Sequence, residues 1–246
     1  FCNEAEASSG ISFPMGLKTV ATESLPRDSK AVSAEALAEL KKLSSQKVRE
    51  GMSRFGLPSK KAWGVSVGTI QQLAKKLGRS QAVAELLWKS DVYEARLLAA
   101  LVGEPEKLTV SGMDRWCGDF DNWGVVDTVC FKLFDQSSLA WKRVEPWARQ
   151  EGEFQRRAGF VMFACLAAHA DDAEDADFLR FLPLIEWGAT DDRNFVKKGV
   201  SWALRMLGRK SPAVRKAALA TARKLAESEN AAARWVGRDA LRGMKK

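Results

Sequence analysis

The sequence predicts an all-α protein, a stack of about a dozen short helices, and three observations carry that prediction. From Ser33 onward the apolar residues recur with the period of a helix, and no stretch is a convincing strand. Short polar links that contain glycine, serine or proline separate the periodic segments. Several segments also resemble one another weakly. Many short helices with tight links favour a stack over a single compact bundle.

The helices are expected to form one domain, residues 33–246, which follows a flexible leader, residues 1–32. Ser-Ser-Gly, Phe-Pro and Leu-Pro breaks interrupt the leader and argue against regular structure there. The predicted helices are Ser33–Leu43, Ser44–Arg54, Ser66–Leu77, Ser80–Trp88, Asp91–Val102, Val110–Phe120, Asn122–Phe134, Leu139–Gln150, Glu153–Ala168, Ala173–Trp187, Asp191–Leu207, Pro212–Ala226 and Asn230–Met244.

The repeated segments place one or two cationic residues near a helix start, before small and apolar residues. From Arg157 to Lys198 the spacing is about forty residues, the length of a HEAT-type helix pair. The sequence therefore predicts a HEAT-like α-solenoid of about six antiparallel helix pairs. Such stacks curve, and cations repeated at the helix starts would make the concave face basic, a shape that could cradle a duplex.

Composition limits the possible functions. The chain has 246 residues, with 39 basic and 31 acidic ones, and its net charge of +8 suits a polyanionic partner or a merely soluble basic surface. One histidine, His169, and four cysteines without a CxxC pair argue against a zinc site and a Ser-His-Asp triad. The cysteines are expected to be buried, reduced thiols: Cys2, Cys117, Cys130 and Cys165.

Other classes also lack their sequence signals. There is no glycine-rich phosphate-binding loop, so no nucleotide cofactor is expected. No apolar run approaches the roughly twenty residues of a membrane span, and residues 1–29 lack a secretory signal pattern. We expect a protein without cofactor or metal that acts as a monomer.

A tryptophan and a carboxylate stand one helical turn apart in the helix that begins at Asn122. The spacing puts Trp123 and Asp127 on the same edge, more than a quarter turn from the apolar stripe. The two residues could line a working surface, or they could be a core-edge tryptophan and a solvated aspartate. The stripe itself consists of Val125, Val126, Val129 and Leu133.

A second tryptophan lies between two cations in the helix that contains residues 194–205. Lys198, Trp202 and Arg205 share an edge outside the buried stripe. This group could contact sugars and phosphates. Alternatively, the lysine and arginine stems only pack around a half-buried tryptophan.

Arg157 projects from a helix that is apolar almost all round. A buried cation needs a carboxylate or a phosphate, because an unpaired buried charge is costly. Asp127 and a DNA phosphate are both candidate partners, and an ordinary ion pair with another nearby acid is equally compatible with the pattern.

Four stretches, in the same order and spread from about Ala36 to the C-terminus, resemble the AlkD-type DNA alkylation-repair glycosylases. They are Leu87-Trp88-Lys89-Ser90 with Glu94-Ala95-Arg96, Asn122-Trp123-Gly124-Val125-Val126-Asp127, Phe154-Gln155-Arg156-Arg157-Ala158, and Phe195-Val196-Lys197-Lys198-Gly199-Val200-Ser201-Trp202-Ala203-Leu204-Arg205.

This resemblance implies a HEAT-like solenoid that holds duplex DNA on its basic concave face. It implies base excision repair, with hydrolysis of the N-glycosidic bond of cationic alkylpurines such as 3-methyladenine and 7-methylguanine, and with the base left near the stack. The catalytic carboxylate falls on Asp127, the sugar-contacting tryptophans on Trp123 and Trp202, and the active-site arginine on Arg157. The backbone contacts are assigned to Arg156, Lys197, Lys198 and Arg205.

The chemistry suits these residue types. A cationic alkylpurine is already a good leaving group, so the remaining task is to stabilise a sugar that turns positive. A fixed carboxylate and electron-rich indole faces both do so. Two departures from the family pattern leave the substrate range open: Phe154 replaces a common tryptophan, and Gly124 a common acidic residue.

The resemblance also sets the expected location and the main alternative. We expect a cytoplasmic protein, associated with the nucleoid if bacterial and nuclear if eukaryotic. The alternative is a non-catalytic HEAT module that binds branched or damaged DNA or an acidic protein partner.

Overall fold

The computed structural model describes residues 28–57 and 61–245, and these ranges contain fourteen α-helices and no β-strand. The helices are α1 (Ser29–Lys42), α2 (Gln46–Met52), α3 (Val67–Leu77), α4 (Gln81–Lys89), α5 (Tyr93–Val102), α6 (Val110–Gly118), α7 (Trp123–Lys132), α8 (Trp141–Ala148), α9 (Glu153–His169), α10 (Asp175–Leu179), α11 (Leu182–Gly188), α12 (Asn194–Leu207), α13 (Pro212–Ala226) and α14 (Ala231–Met244). Short 3₁₀ turns occupy Ser53–Phe55, Pro105–Lys107 and Phe134–Gln136.

Polar residues of the links fix where the helices begin. The Asn122 side chain accepts a hydrogen bond from the Val125 N–H at 2.9 Å and caps α7, so that Trp123 is the first residue of that helix. A cap that likewise accepts from the N–H three residues later starts six other helices. Those capping residues are Ser45, Ser66, Ser80, Thr109, Ser211 and Asn230.

Most predicted helix ends agree with the structure within three residues, and two differences are larger. The first helix begins at Ser29, where Asp28 accepts a hydrogen bond from the Lys30 N–H, so four residues assigned to the leader are helical. The predicted helix over residues 173–187 is instead two helices, α10 and α11, because Pro183 lacks the N–H that a continuous helix needs and sits in the first turn of the second. Residues 1–27 of the leader lie outside the described ranges.

The helices pack in two rows. Helices α5, α7, α9, α12 and α14 form the first row, each packed on the next. A second row covers it, with α4 on α5, α8 on α9 and α13 on α14. The first row carries the residues predicted to act in catalysis, which lie on α7, α9 and α12.

Helix α9 is the centre of the core. Its residues from Ala158 to Ala167 are buried, and it packs on α7, α8 and α12. At Gly159 a β-carbon would lie 2.2 Å from the Ala148 nitrogen, so the backbones of α8 and α9 are in direct contact. This close approach fixes the helix that carries Arg157.

A buried carboxylate holds the segment before α3. Glu94 accepts hydrogen bonds from the N–H groups of Trp63, Gly64 and Val65, at distances down to 2.6 Å. Gly64 has a φ of +80°, and a β-carbon there would lie 2.2 Å from the Ser45 carbonyl oxygen. The start of α3, which includes Val67, is therefore fixed relative to α5.

The cysteine prediction is confirmed for three of the four residues. Cys117, Cys130 and Cys165 are free and buried, and burial raises the pKa of each thiol. Cys2 lies outside the described ranges. No helix of the described residues has the length and apolar composition of a membrane span.

Candidate active site

An ion pair between α7 and α9 forms the centre of the site. The Arg157 Nε donates to one Asp127 oxygen at 2.9 Å, and its Nη2 donates to the other at 2.8 Å. The third nitrogen, Nη1, donates to the Phe195 carbonyl oxygen at 2.7 Å. Of the partners considered from the sequence, the structure thus assigns Asp127 to Arg157, and the guanidinium joins α7, α9 and α12.

The two partners differ in exposure. The Arg157 side chain is 7% exposed, whereas the Asp127 side chain is 22% exposed. Burial raises the pKa of Asp127, and the charge and hydrogen bonds of Arg157 act in the opposite direction. Because each carboxylate oxygen accepts one bond from Arg157, each keeps an acceptor position for a ligand.

A cavity of about 260 Å³ opens beside the carboxylate. Asp127 and Trp202 both line it, so the structure brings together two residues that the sequence placed on different helices. The rest of the lining is mainly apolar and comes from α3, α5 and α7. It consists of Val67, Ile70, Gln71, Leu97, Leu101, Thr128, Phe131 and Lys132.

Most of the residues that line the cavity were not predicted from the sequence, although one signal was available. Phe131 stands one turn after Asp127 on the same helix edge, as Trp123 stands one turn before it. Nothing local marks the residues of α3 and α5 as neighbours of Asp127, because those contacts depend on how the helices stack.

Trp123 does not line the cavity. It is partly buried at the first position of α7, and its indole N–H donates to the Phe55 carbonyl oxygen at 2.8 Å. The neighbouring Gly124 is tightly packed, since a β-carbon there would lie 2.7 Å from the Tyr93 hydroxyl and 2.8 Å from a Leu57 methyl. A larger side chain at Gly124 would therefore displace the ends of the Tyr93 and Leu57 side chains.

Phe154, the other departure, packs against the residue that supports Arg157. Its ring centroid lies 5.3 Å from that of Phe195. The aromatic pair thus holds together the starts of α9 and α12, where the Phe195 carbonyl accepts the third hydrogen bond of Arg157.

Four cations were predicted to contact the DNA backbone, and two of them remain at the surface without an acidic partner among the described residues. Lys198 is exposed on α12, one turn before Trp202. The Lys197 ammonium lies 5.4 Å from the centre of the Trp235 ring on α14, a cation–π contact.

The other two cations are held in ion pairs between helices. Arg156 donates to Asp191 at 2.7 Å, and burial, which alone would raise the pKa of Asp191, is outweighed by hydrogen bonds from Arg193 and Arg156 that lower it to about 2. Arg205 donates to Asp239 at 2.7 Å. The structure does not bring either guanidinium to the cavity, and their predicted contact with DNA stays a prediction.

Within the described ranges, no group of three or more histidine, cysteine, aspartate or glutamate side chains is arranged to hold a metal ion. The polar groups that line the cavity are the Asp127 carboxylate, the Gln71 amide, the Thr128 hydroxyl and the Lys132 ammonium.

Comparison with solved structures identifies the fold. The chain matches a structure described as a new family of proteins related to the HEAT-like repeat DNA glycosylases, with affinity for branched DNA structures. The TM-score is 0.71 at 18% identity, over 86% of this chain and 94% of the other, which establishes a HEAT-like repeat fold. The predicted fold class is thereby confirmed.

The sequence also identifies the family. Residues 36–244 match the DNA alkylation repair enzyme family, and the chain belongs to it. The resemblance drawn from the four stretches is thus confirmed. No curated protein matches the chain.

Proposed function

We propose that this protein is a monofunctional DNA glycosylase that removes cationic N-alkylated purines, such as 3-methyladenine and 7-methylguanine, from duplex DNA. The observation that carries the proposal is the Asp127 carboxylate, which Arg157 holds by two hydrogen bonds and which lines a cavity together with Trp202. Membership of a DNA alkylation repair family supports the same reaction.

The reaction does not require the protein to protonate the leaving base. When the bond between C1′ and the base nitrogen breaks, its electron pair cancels the positive charge of the base, so no general acid is required. The sugar becomes an oxocarbenium-like cation, which the fixed negative charge of Asp127 stabilises. A water oxygen then bonds to C1′, and Asp127 orients the water and accepts its proton.

Arg157 acts by positioning. Its three hydrogen bonds fix the orientation of Asp127 relative to α9 and α12 before any substrate arrives. A carboxylate held in this way does not have to reorganise as the sugar turns positive, which is the main advantage of a preorganised site. The Trp202 ring on the cavity wall offers an electron-rich face to the same cation.

The test is an Asp127→Asn variant in an assay for free methylated base released from alkylated duplex. We expect excision to slow by about a hundredfold or more, because the charge that stabilises the sugar is lost. The amide oxygen still accepts one hydrogen bond from Arg157, so we expect the fold and DNA binding to persist, with a lower free energy of unfolding because the charge of Arg157 is no longer neutralised. Circular dichroism and a binding titration check both.

Asp172→Asn is the matched control, since it makes the same change on an exposed residue outside the site. It should release bases at the wild-type rate. Wild-type activity should also survive a chelator. An Asp127→Asn variant that excises 7-methylguanine at full rate would refute the catalytic assignment.

A non-catalytic role in binding branched DNA is the second candidate, and the similar solved structure favours it through its described affinity for branched DNA. This alternative predicts no base release by the wild-type protein, together with salt-sensitive binding that is tighter for a four-way junction than for a linear duplex. The two assays on the same preparation separate the candidates.

A further inference from the structure

Four cations lie along one face of α14, the last helix of the first row. Arg234, Arg238 and Arg242 follow one another at every fourth residue, and Lys245 comes three residues later. At the helical angle per residue, the four side chains fall within about 80° of one another and form a basic stripe. All four line one groove of about 700 Å³. None of them is among the cations that the sequence assigned to DNA.

The basic stripe keeps most of its charge. Arg238 and Lys245 are exposed and have no acidic partner among the described residues. Arg234 donates to two backbone carbonyls before α14, which leaves its charge unneutralised. Arg242 pairs with Asp239 at 3.1 Å, but the Arg242 side chain is 72% exposed, and so exposed an ion pair contributes little. A ligand with several negative charges is therefore the complement of this face.

The basic stripe lies on the side of α14 that borders α12. Trp235, about 60° round the helix from Arg238, contacts the Lys197 ammonium of α12. Gly237, about 100° from Arg238 in the other direction, packs on α13, and a β-carbon there would lie 2.3 Å from the Ala226 nitrogen. The basic stripe is thus next to the first row, whereas the second row lies further round the helix.

Cations and aromatic rings continue from the basic stripe to the cavity. On α12, Lys197 precedes Lys198, which is exposed one turn before Trp202. The Trp202 side chain lines the cavity together with Asp127. Helices α7, α9, α12 and α14 pack in that order. Three packing steps of 8 to 10 Å place α14 roughly 24 to 30 Å from the helix of Asp127, the length of about seven to nine base pairs.

The length of the basic stripe suits a duplex that crosses α14. From Arg234 to Lys245 the helix spans roughly 17 Å, which exceeds the width of the major groove, about 12 Å. The two ends of the basic stripe can therefore contact phosphates on both sides of one groove. An acidic protein would meet the same charges, but only a polyanion that also reaches the cavity makes use of the cations in between.

We propose that the basic stripe on α14 holds the DNA backbone about seven to nine base pairs to one side of the nucleotide whose sugar lies at Asp127. Such a contact adds affinity and fixes orientation without reading sequence, because phosphates are the same at every step. The inference rests on the proposed function only in placing the damaged nucleotide at Asp127. It implies that the protein needs a long duplex flank on the side of the lesion that reaches α14.

The experiment removes the two cations that have no acidic partner, in the variant Arg238→Ala/Lys245→Ala. The probe is a duplex with one 7-methylguanine whose sugar carries a 2′-fluorine, which destabilises a cationic sugar and so prevents base release during the titration. On a duplex with about fifteen base pairs on each side of the lesion, we expect affinity to fall by about tenfold. The slope of log K against log salt should fall by about two, one for each lost phosphate contact.

Two shortened duplexes test the position of the contact, each with about four base pairs on one side of the lesion. Wild-type protein should bind one of them about tenfold more weakly than the long duplex, because that flank no longer reaches α14. On this duplex Arg238→Ala/Lys245→Ala should bind as tightly as the wild type, since the contact is already lost. On the other shortened duplex the variant should remain weaker.

Lys216→Ala/Arg223→Ala is the matched control. It also removes one lysine and one arginine from exposed positions, but these lie on α13 in the second row. It should retain the wild-type salt slope and flank dependence, and both variants should melt at the wild-type temperature. The proposal is overturned if the two variants have equal slopes on the long duplex, or if Arg238→Ala/Lys245→Ala loses the same factor on all three duplexes.

The two proposals can fail separately. If the wild-type protein releases no base from alkylated duplex, but Arg238→Ala/Lys245→Ala still differs from it on the long duplex and matches it on one shortened duplex, the glycosylase function fails and the basic stripe stands as a DNA site. If the wild-type protein releases base and both variants keep its salt slope, only the assignment of the basic stripe fails.

Discussion

Asp127 serves the fold as well as the proposed reaction, because the guanidinium it neutralises is buried. Removal of one partner of a buried ion pair leaves an uncompensated charge, which typically costs about 3 to 5 kcal/mol. A variant that deletes the carboxylate altogether would confuse lost stability with lost activity. The conservative change to asparagine keeps a hydrogen-bond acceptor for Arg157 and is the informative one.

Trp202 should contribute to the recognition of damage rather than to the fold, since it is only partly buried on the cavity wall. We expect Trp202→Ala to reduce the preference for alkylated over intact duplex by about fivefold to tenfold, the loss of one cation–π contact. A competition binding assay with the two duplexes measures the ratio.

Trp187→Ala serves as the control, because Trp187 is an exposed tryptophan on α11 outside the cavity lining. Its removal should leave the preference unchanged. An unchanged ratio for Trp202→Ala as well would mean that Trp202 only packs.

Helices α8 and α9 lie so close together that a single added methyl group would force them apart. A β-carbon at Gly159 would overlap the backbone of α8, at 2.2 Å from the Ala148 nitrogen and 2.6 Å from the Val144 oxygen. Gly159→Ala should therefore destabilise the protein by about 1 to 3 kcal/mol, as overpacking does. Thermal or urea unfolding measures the loss.

Gly51→Ala in α2 is the matched comparison. Nothing lies within 4 Å of the position that the new methyl group would occupy, and the backbone there is helical. Here the substitution should stabilise by about 0.5 to 1 kcal/mol, because alanine loses less conformational entropy than glycine on folding. Equal effects of the two variants would contradict the close approach of α8 and α9.

Helix existence could be predicted from the sequence, because periodicity and capping residues are local signals. Asn122 and Trp123 show this at α7. The break before Pro183 was missed, since the apolar period continues through it. A proline near a segment end is compatible with both a kink and a new helix.

From the residues alone, most signals for the site lie within one helix, and the grouping of Asp127, Arg157 and Trp202 came from the family resemblance. The spacing of Trp123 and Asp127 was visible, and so was the need of Arg157 for an anion. The partners of Arg156 and Arg205 could not be found, because Asp191 and Asp239 lie more than thirty residues away in the sequence.

At the scale of the whole molecule, the net charge of +8 acts on a polyanion such as DNA mainly through the cations that have no acidic partner. Lys198 on α12 is exposed near the cavity, whereas Arg223 is exposed on α13, in the second row of helices. If DNA binds along the first row, Lys198→Ala should weaken binding and reduce the slope of log K against log salt by about one.

Arg223→Ala removes the same charge and should change neither quantity beyond a small general effect. A titration at several salt concentrations measures both variants. Equal slopes for the two would mean that the net charge, and not a defined track on the first row, attracts the DNA.

The buried cysteines have a consequence for a member of a DNA alkylation repair family. Electrophiles that modify purines also attack sulfur, and they react with the thiolate form. Cys117, Cys130 and Cys165 are shielded from solvent and kept protonated by their surroundings. These three thiols are thus protected from the reagents whose damage the family repairs.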